Sequence, residues 1–328
     1  MKISIATNSL GKSSSGHSIL HKLSVAKSHH FDGVEVAFEC LEHHALTTYP
    51  KLTRENQLRS AARDVHNTAS SLSLQLIALN PFGAYDGLVD EGEVERRLDE
   101  ARVWCELCEI MGIEFFQITT CLYPMDSTRI TSNPTIIARN MRKLTLLAQN
   151  YNLTIAYEAP AWGIHLNTWQ QTHQIIQMVN LPNLKHCLDT FHISTKLACD
   201  PFNATSPIKP TGMDNFTTSL TEMKQTLQPS DIAYFQLSDA TVADPAQRGY
   251  PRKDLAQPAY MTQSRNCRIF PCEEAYGGIL PAVDVARAVF DLGYEGWVSM
   301  EVFYTELWEE REEYVFLFLY HIIWMLMR

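Results

Sequence analysis

Short runs rich in β-branched and aromatic residues alternate along most of the chain with longer stretches in which apolar residues recur every three or four positions. The short runs, at 2–7, 33–38, 74–79, 114–119, 154–157, 185–188, 232–237 and 297–302, read as strands. The stretches between them read as amphipathic helices, predicted at 19–29, 55–71, 135–150, 169–179, 214–227 and 283–292. A further helix carries Val94, Leu98, Ala101, Cys105 and Cys108 on one face and stops at Gly112. Eight strands separated by helices predict an α/β fold, a parallel (β/α)8 TIM barrel.

No repeat or Pro/Gly-rich linker divides the chain, so residues 1–310 are expected to form one barrel domain. The longest irregular stretch, 239–278, should fold over the catalytic face. Residues 311–328 form an atypical apolar tail. Its core, Tyr314 to Met327, is 14 residues long, against the roughly 20 needed to span a bilayer. No membrane span is expected; a buried terminal helix or a contact in a homo-oligomer fits such a segment.

With 328 residues, 45% of them hydrophobic and 20% charged, the chain has the composition of a soluble protein with a sizeable core. Its formal net charge of −10 opposes a nucleic-acid backbone as partner. A small anionic substrate would then need its own local arginine, lysine or metal. Eight scattered cysteines and an amino terminus that enters a strand without a signal-peptide core predict a cytoplasmic, reduced setting.

The carboxyl ends of the last four strands carry Glu158, Asp189, Gln236 and Glu301. One carboxylate at a strand end commonly caps a helix or pairs with an arginine. Four oxygen donors at four successive ends predict a divalent cation instead, since parallel barrels place their chemistry at that face. All-oxygen donors suit Mg²⁺ or Mn²⁺ better than Zn²⁺.

Longer motifs surround these positions: Tyr157-Glu-Ala-Pro-Ala-Trp-Gly163 with Asn167-Thr-Trp169, Cys187-Leu-Asp-Thr-Phe-His-Ile193 and Tyr234-Phe-Gln-Leu-Ser-Asp-Ala240. Further on are Ser264-Arg-Asn-Cys-Arg-Ile-Phe-Pro271, Gly278-Ile-Leu-Pro281 and Gly293-Tyr-Glu-Gly-Trp-Val-Ser-Met-Glu-Val-Phe303. Up to about Trp308 the chain resembles the fungal 3-dehydroshikimate dehydratases, within the xylose isomerase-like sugar phosphate isomerase/epimerase superfamily. That resemblance implies a lyase of quinate and shikimate catabolism that converts 3-dehydroshikimate to protocatechuate and water. It would use Mg²⁺, Mn²⁺ or Co²⁺, remove the proton alpha to a metal-polarised ketone and then lose the β-hydroxyl.

It also implies residue roles. His192, with the ligand Glu158, is expected to be catalytic, His192 as general base or acid. Arg268, before Phe-Pro, is expected to receive the substrate carboxylate, with Arg265 as its neighbour. Glu35, Tyr85 in the Asn80-Pro-Phe-Gly-Ala-Tyr-Asp-Gly87 loop, and His165 are further substrate-side candidates.

Two departures from that pattern stand out: Cys272 follows Pro271 where the family commonly has glycine, and the apolar tail replaces a polar closing helix. The alternative function is a divalent-metal sugar or hydroxypyruvate isomerase or epimerase on the same barrel; Gln236 in place of histidine and the Arg268 loop favour the dehydratase. Ala6-Thr-Asn-Ser-Leu-Gly-Lys-Ser13 lacks the first glycine of a P-loop. Cys105 and Cys108 lie on an apolar helix face with no second pair, which favours core packing over metal or redox chemistry.

Overall fold

In the computed structural model, which describes residues 1–243, 256–272 and 276–305, strands form at β1 (Lys2–Ala6), β2 (Gly33–Ala37), β3 (Gln75–Phe82), β4 (Phe115–Thr119), β5 (Thr154–Glu158), β6 (Leu184–Asp189), β7 (Ile232–Leu237), β8 (Asp239–Ala240), β9 (Arg268–Ile269) and β10 (Trp297–Met300). Eight of them close a barrel in the order β1-β10-β7-β6-β5-β4-β3-β2, while β8 and β9 form a separate two-stranded antiparallel sheet. The strand pairs from β1 through β6 are parallel. The barrel strands fall where the hydrophobic alternation predicts them.

The helices are α1 (Ile19–Ser28), α2 (Phe38–Thr48), α3 (Arg54–Ser71), α4 (Glu91–Met111), α5 (Pro134–Gln149), α6 (Trp169–Val179), α7 (Thr190–Leu197), α8 (Gly212–Thr226), α9 (Ala259–Cys267) and α10 (Ala282–Asp291). Their ends follow local chemistry. Asp90 caps α4 by accepting from the Glu93 N–H, and Gly112 ends it at φ +69°. Asn133 caps α5 ahead of Pro134, and Thr168 and Gln171 form a reciprocal capping box on α6.

Three helices, α2, α7 and α9, are absent from the periodicity. The first two begin directly at a strand end, at Phe38 after β2 and at Thr190 after β6, so their first apolar positions run on from those of the strand. The stretch 239–278, expected to be irregular, holds β8, α9 and β9 among its described residues. The apolar tail at 311–328 lies outside the described residues.

Contacts divide the chain into two compact units. The first comprises residues 1–188, 230–235 and 296–299 and contains nearly all of the barrel. In it, Trp104 of α4 stacks on Phe38 and Phe116 at ring-centroid distances of 4.4 and 5.6 Å and meets Phe82 edge-on at 5.2 Å. Cys105 and Cys108 are buried on α4 as free thiols; burial pushes Cys105 up to about 12 and Cys108 well above its ordinary value. In the second unit α7, α8 and α10 pack on one another, and the Asp239 carboxylate accepts the N–H groups of Ala240, Ile279 and Leu280. Among the described residues no helix is long and apolar enough to cross a membrane.

Where α6 covers β6, His173 stacks on His186 at 5.4 Å between centroids, with Nδ1 of the former 3.2 Å from Nε2 of the latter. His186 is fully buried and its Nδ1 has no hydrogen-bond partner. Burial, and then the neighbouring His173, lower its pKa to about 3. The unfolded chain protonates this histidine near pH 6.5, so between these values the unfolded state binds more protons. His186 therefore costs stability as pH falls through this window, by up to about 1.4 kcal/mol per pH unit. Urea midpoints of His186→Gln should fall less steeply than those of the wild type between pH 6.5 and 4.5; equal slopes would refute the linkage.

Candidate active site

Ala78, Phe115, Ala156, Cys187, Tyr234 and Trp297 belong to one buried apolar cluster. Side chains on a strand return to the same face every second residue. One step further along these six strands stand Asn80, Gln117, Glu158, Asp189, Gln236 and Ser299, all buried. Each strand thus changes from an apolar position to a polar one within a single repeat, at its carboxyl end.

In the first unit, that polar level is organised by hydrogen bonds. Glu35 Oε2 accepts from Asn80 Nδ2 at 2.5 Å and from the Tyr234 hydroxyl at 2.8 Å. Gln117 Nε2 donates to Glu158 Oε2 at 2.7 Å. Glu35 is fully enclosed and Glu158 is 5% exposed, so these bonds supply part of the solvation that burial removes.

The loop after β5 is built tightly. A Cβ on Gly163 would lie 1.9 Å from the Leu166 carbonyl oxygen, so only glycine fits there. Thr120 Oγ1 donates to that same Leu166 carbonyl, and Asn167 Nδ2 to the Gly163 carbonyl. This loop carries His165, whose Nε2 is buried without a hydrogen-bond partner.

The second unit brings together Asp189, His192, Arg268 and Glu301. Asp189 ends β6 and caps α7, accepting the Phe191 N–H on Oδ1 at 2.7 Å. The first turn of α7 then sets His192 Nε2 3.5 Å from Asp189 Oδ2, with the His192 ring edge-on to Phe191. Thr190 Oγ1 donates to the Ser238 carbonyl and accepts the Ser238 N–H, tying α7 to the segment after β7.

Arg268, on β9, is 1% exposed. Its Nη2 lies 2.7 Å from Asp189 Oδ2, its Nη1 2.6 Å from Glu301 Oε2, and its Nε donates to Ser238 Oγ at 3.0 Å. Phe191 and Phe303 lie 4.8 and 5.2 Å from the guanidinium. Reciprocal backbone bonds between Arg268 and Phe303 hold the segment, and the Glu301 N–H donates to the Leu237 carbonyl. Burial alone would raise the Asp189 carboxyl, but the Arg268 charge, then His192, and hydrogen bonds from Arg268 and the Phe191 N–H hold it below the usual carboxylate range.

Several candidates therefore have definite surroundings. Arg268, expected to meet a substrate carboxylate, is engaged by two protein carboxylates. Arg265 is exposed on α9. Tyr85, expected to cover substrate, is buried and donates to the Asn140 carbonyl at 2.7 Å. Its neighbour Asp86 is enclosed by the Tyr157 hydroxyl and the Gly87 and Cys121 N–H groups. Asn80, Gln117 and Tyr234 bond carboxylates in the first unit and Ser238 bonds Arg268 in the second, none of them singled out as a candidate from the sequence. Of these, Tyr234 stands one strand step, two residues, before the candidate Gln236, a spacing that the strand repeat makes visible once the strand ends are known.

The donor chemistry fits a hard divalent ion: Glu158, Asp189, Gln236 and Glu301 offer oxygen only, and the first three are at most 5% exposed. The profile of the family described as xylose isomerase-like TIM barrel matches residues 23–316. The 3-dehydroshikimate dehydratase of Neurospora crassa is 33% identical over 324 residues, 95% of this chain and 89% of the relative. The 3-dehydroshikimate dehydratase of Pseudomonas aeruginosa is 27% identical over 92% of this chain, which spans only 38% of that longer protein. Among solved structures, the IOLI protein with a bound zinc atom superposes with a TM-score of 0.70 at 16% identity, covering 99% of this chain and 98% of its own.

Cys272, directly after Pro271, adopts φ +67°, a left-handed conformation that a residue with a Cβ occupies at a cost. Cys272→Gly should therefore raise the free energy of unfolding by about 0.5–1 kcal/mol. Urea titration checks this, and a destabilised variant would contradict it.

Proposed function

We propose that this chain, which belongs to the xylose isomerase-like TIM barrel family, is a 3-dehydroshikimate dehydratase, a lyase that converts 3-dehydroshikimate to protocatechuate and water. The observation that carries this reading is the 33% identity with the Neurospora crassa enzyme, which extends over 95% of the chain. The buried Asp189–His192 pair agrees with it, because the reaction needs a positioned proton carrier.

Glu158, Asp189, Gln236 and Glu301 are the residues that would hold a divalent cation. Glu158 ends β5, the hydrogen-bonded neighbour of β6, which Asp189 ends. The chemistry such an ion supplies is Lewis acidity toward the substrate ketone, which acidifies the adjacent C–H. His192 accepts that proton on Nε2, and the imidazolium so formed is stabilised by Asp189 Oδ2, 3.5 Å away. Phe191, edge-on to the ring at 5.2 Å, limits its rotation. The imidazolium then returns the proton to the β-hydroxyl as its C–O bond breaks. Water leaves, the histidine is neutral again, and the remaining ring enolises to the aromatic acid.

His192→Asn should lower kcat by about a thousandfold, within the range of general acid–base contributions, while Mn²⁺ content measured by mass spectrometry stays at the wild-type level. A rate near that of the wild type would exclude the role. Wild-type protein supplied with 3-dehydroshikimate and Mg²⁺, Mn²⁺ or Co²⁺ should generate the ultraviolet absorption of protocatechuate, and excess chelator should abolish it. Absence of product with every metal would overturn the dehydratase reading.

A further inference from the structure

We infer that Arg268 is a positioning residue of the metal centre, a permanent counter-charge for Asp189 and Glu301, and not the clamp for the substrate carboxylate that its loop motif suggests. The inference rests on the proposed reading that these carboxylates help to hold a divalent cation.

Several features of the geometry support it. A guanidinium has five N–H groups, and Nε, Nη1 and Nη2 each have a protein oxygen within 3.0 Å. Phe191 and Phe303 pack near the guanidinium, and the backbone of Arg268 is bonded in both directions to that of Phe303. An arginine that reorients to receive a substrate needs freedom that this packing removes.

The carboxylates need the guanidinium for an electrostatic reason. Two carboxylate side chains, 0% and 12% exposed, come within 2.7 Å of one cationic group. Buried carboxylates left without a counter-charge are strongly unfavourable. Each still has lone pairs to offer, because an ionised carboxylate accepts at about four sites. Within the second unit, Asp189 and Glu301 carry two carboxylates against the single positive charge of Arg268, so the arginine cancels part of their charge and leaves the rest to attract a cation. A planar fork can bridge two carboxylates and a hydroxyl at fixed separation; a lysine ammonium cannot.

Counter-charge, substrate clamp and merely structural ion pair make different predictions for chelator-treated protein. Arg268→Met should melt at a lower temperature than the wild type without metal, and added Mn²⁺ should recover most of that loss. Calorimetric titration should show Mn²⁺ binding tighter by about tenfold, because a repelling positive charge has gone. Arg268→Lys keeps the charge, so its Mn²⁺ affinity should stay within about threefold of wild type, although its metal-free midpoint falls. Arg268→Gln serves as the second uncharged variant should the methionine protein not fold.

A lowered midpoint with unchanged or weaker Mn²⁺ affinity would make Arg268 a structural ion pair only and overturn the inference. An unchanged midpoint and affinity with a raised KM would overturn it in favour of the substrate clamp. Failure of the wild type to take up Mn²⁺ would remove the metal reading itself, and this inference with it.

Discussion

The buried guanidinium of Arg268, held by Asp189 and Glu301, is the interaction on which the described part of the second unit's polar cluster depends. Taking three charged groups out of water is costly, and mutual attraction offsets that cost only when each group is held in good geometry. Much of the local architecture supplies that geometry. Asp189 is fixed as the cap of α7, Arg268 by backbone pairing with Phe303, and Glu301 by its N–H bond to Leu237. His192 acquires its place from the same arrangement, because the turn of α7 that Asp189 caps also carries the histidine.

The first unit answers a different constraint with similar means. Its strands switch from an apolar cluster to buried polar side chains within two residues, and the carboxylates at that level accept hydrogen bonds from neutral donors. Asn80 and Tyr234 serve Glu35, and Gln117 serves Glu158. Neutral hydrogen bonds orient a carboxylate while leaving its charge in place. The arginine in the second unit orients two carboxylates and cancels part of their charge.

The barrel was legible in the chain because each of its strands is a short run rich in apolar residues, set between longer stretches with a helical repeat. The same regularity made Glu158, Asp189, Gln236 and Glu301 visible as strand-end residues. Short helices that start at a strand end, such as α7, were not visible, because eight residues give little more than two turns of periodicity. Nor was the β8–β9 sheet, whose two-residue strands carry no pattern at all.

By itself the sequence determined the eight-stranded alternation, the oxygen-only donor set and the proximity of His192 to Asp189, all properties written over a few neighbouring residues. Only the tertiary structure decided what Arg268 faces, that Tyr85 is turned to the Asn140 carbonyl, and that His186 lies against His173. These depend on which distant segments meet. Residues 189, 268 and 301 come together through packing that no local repeat encodes, and burial there turns a loop arginine into a fixed charge between two carboxylates.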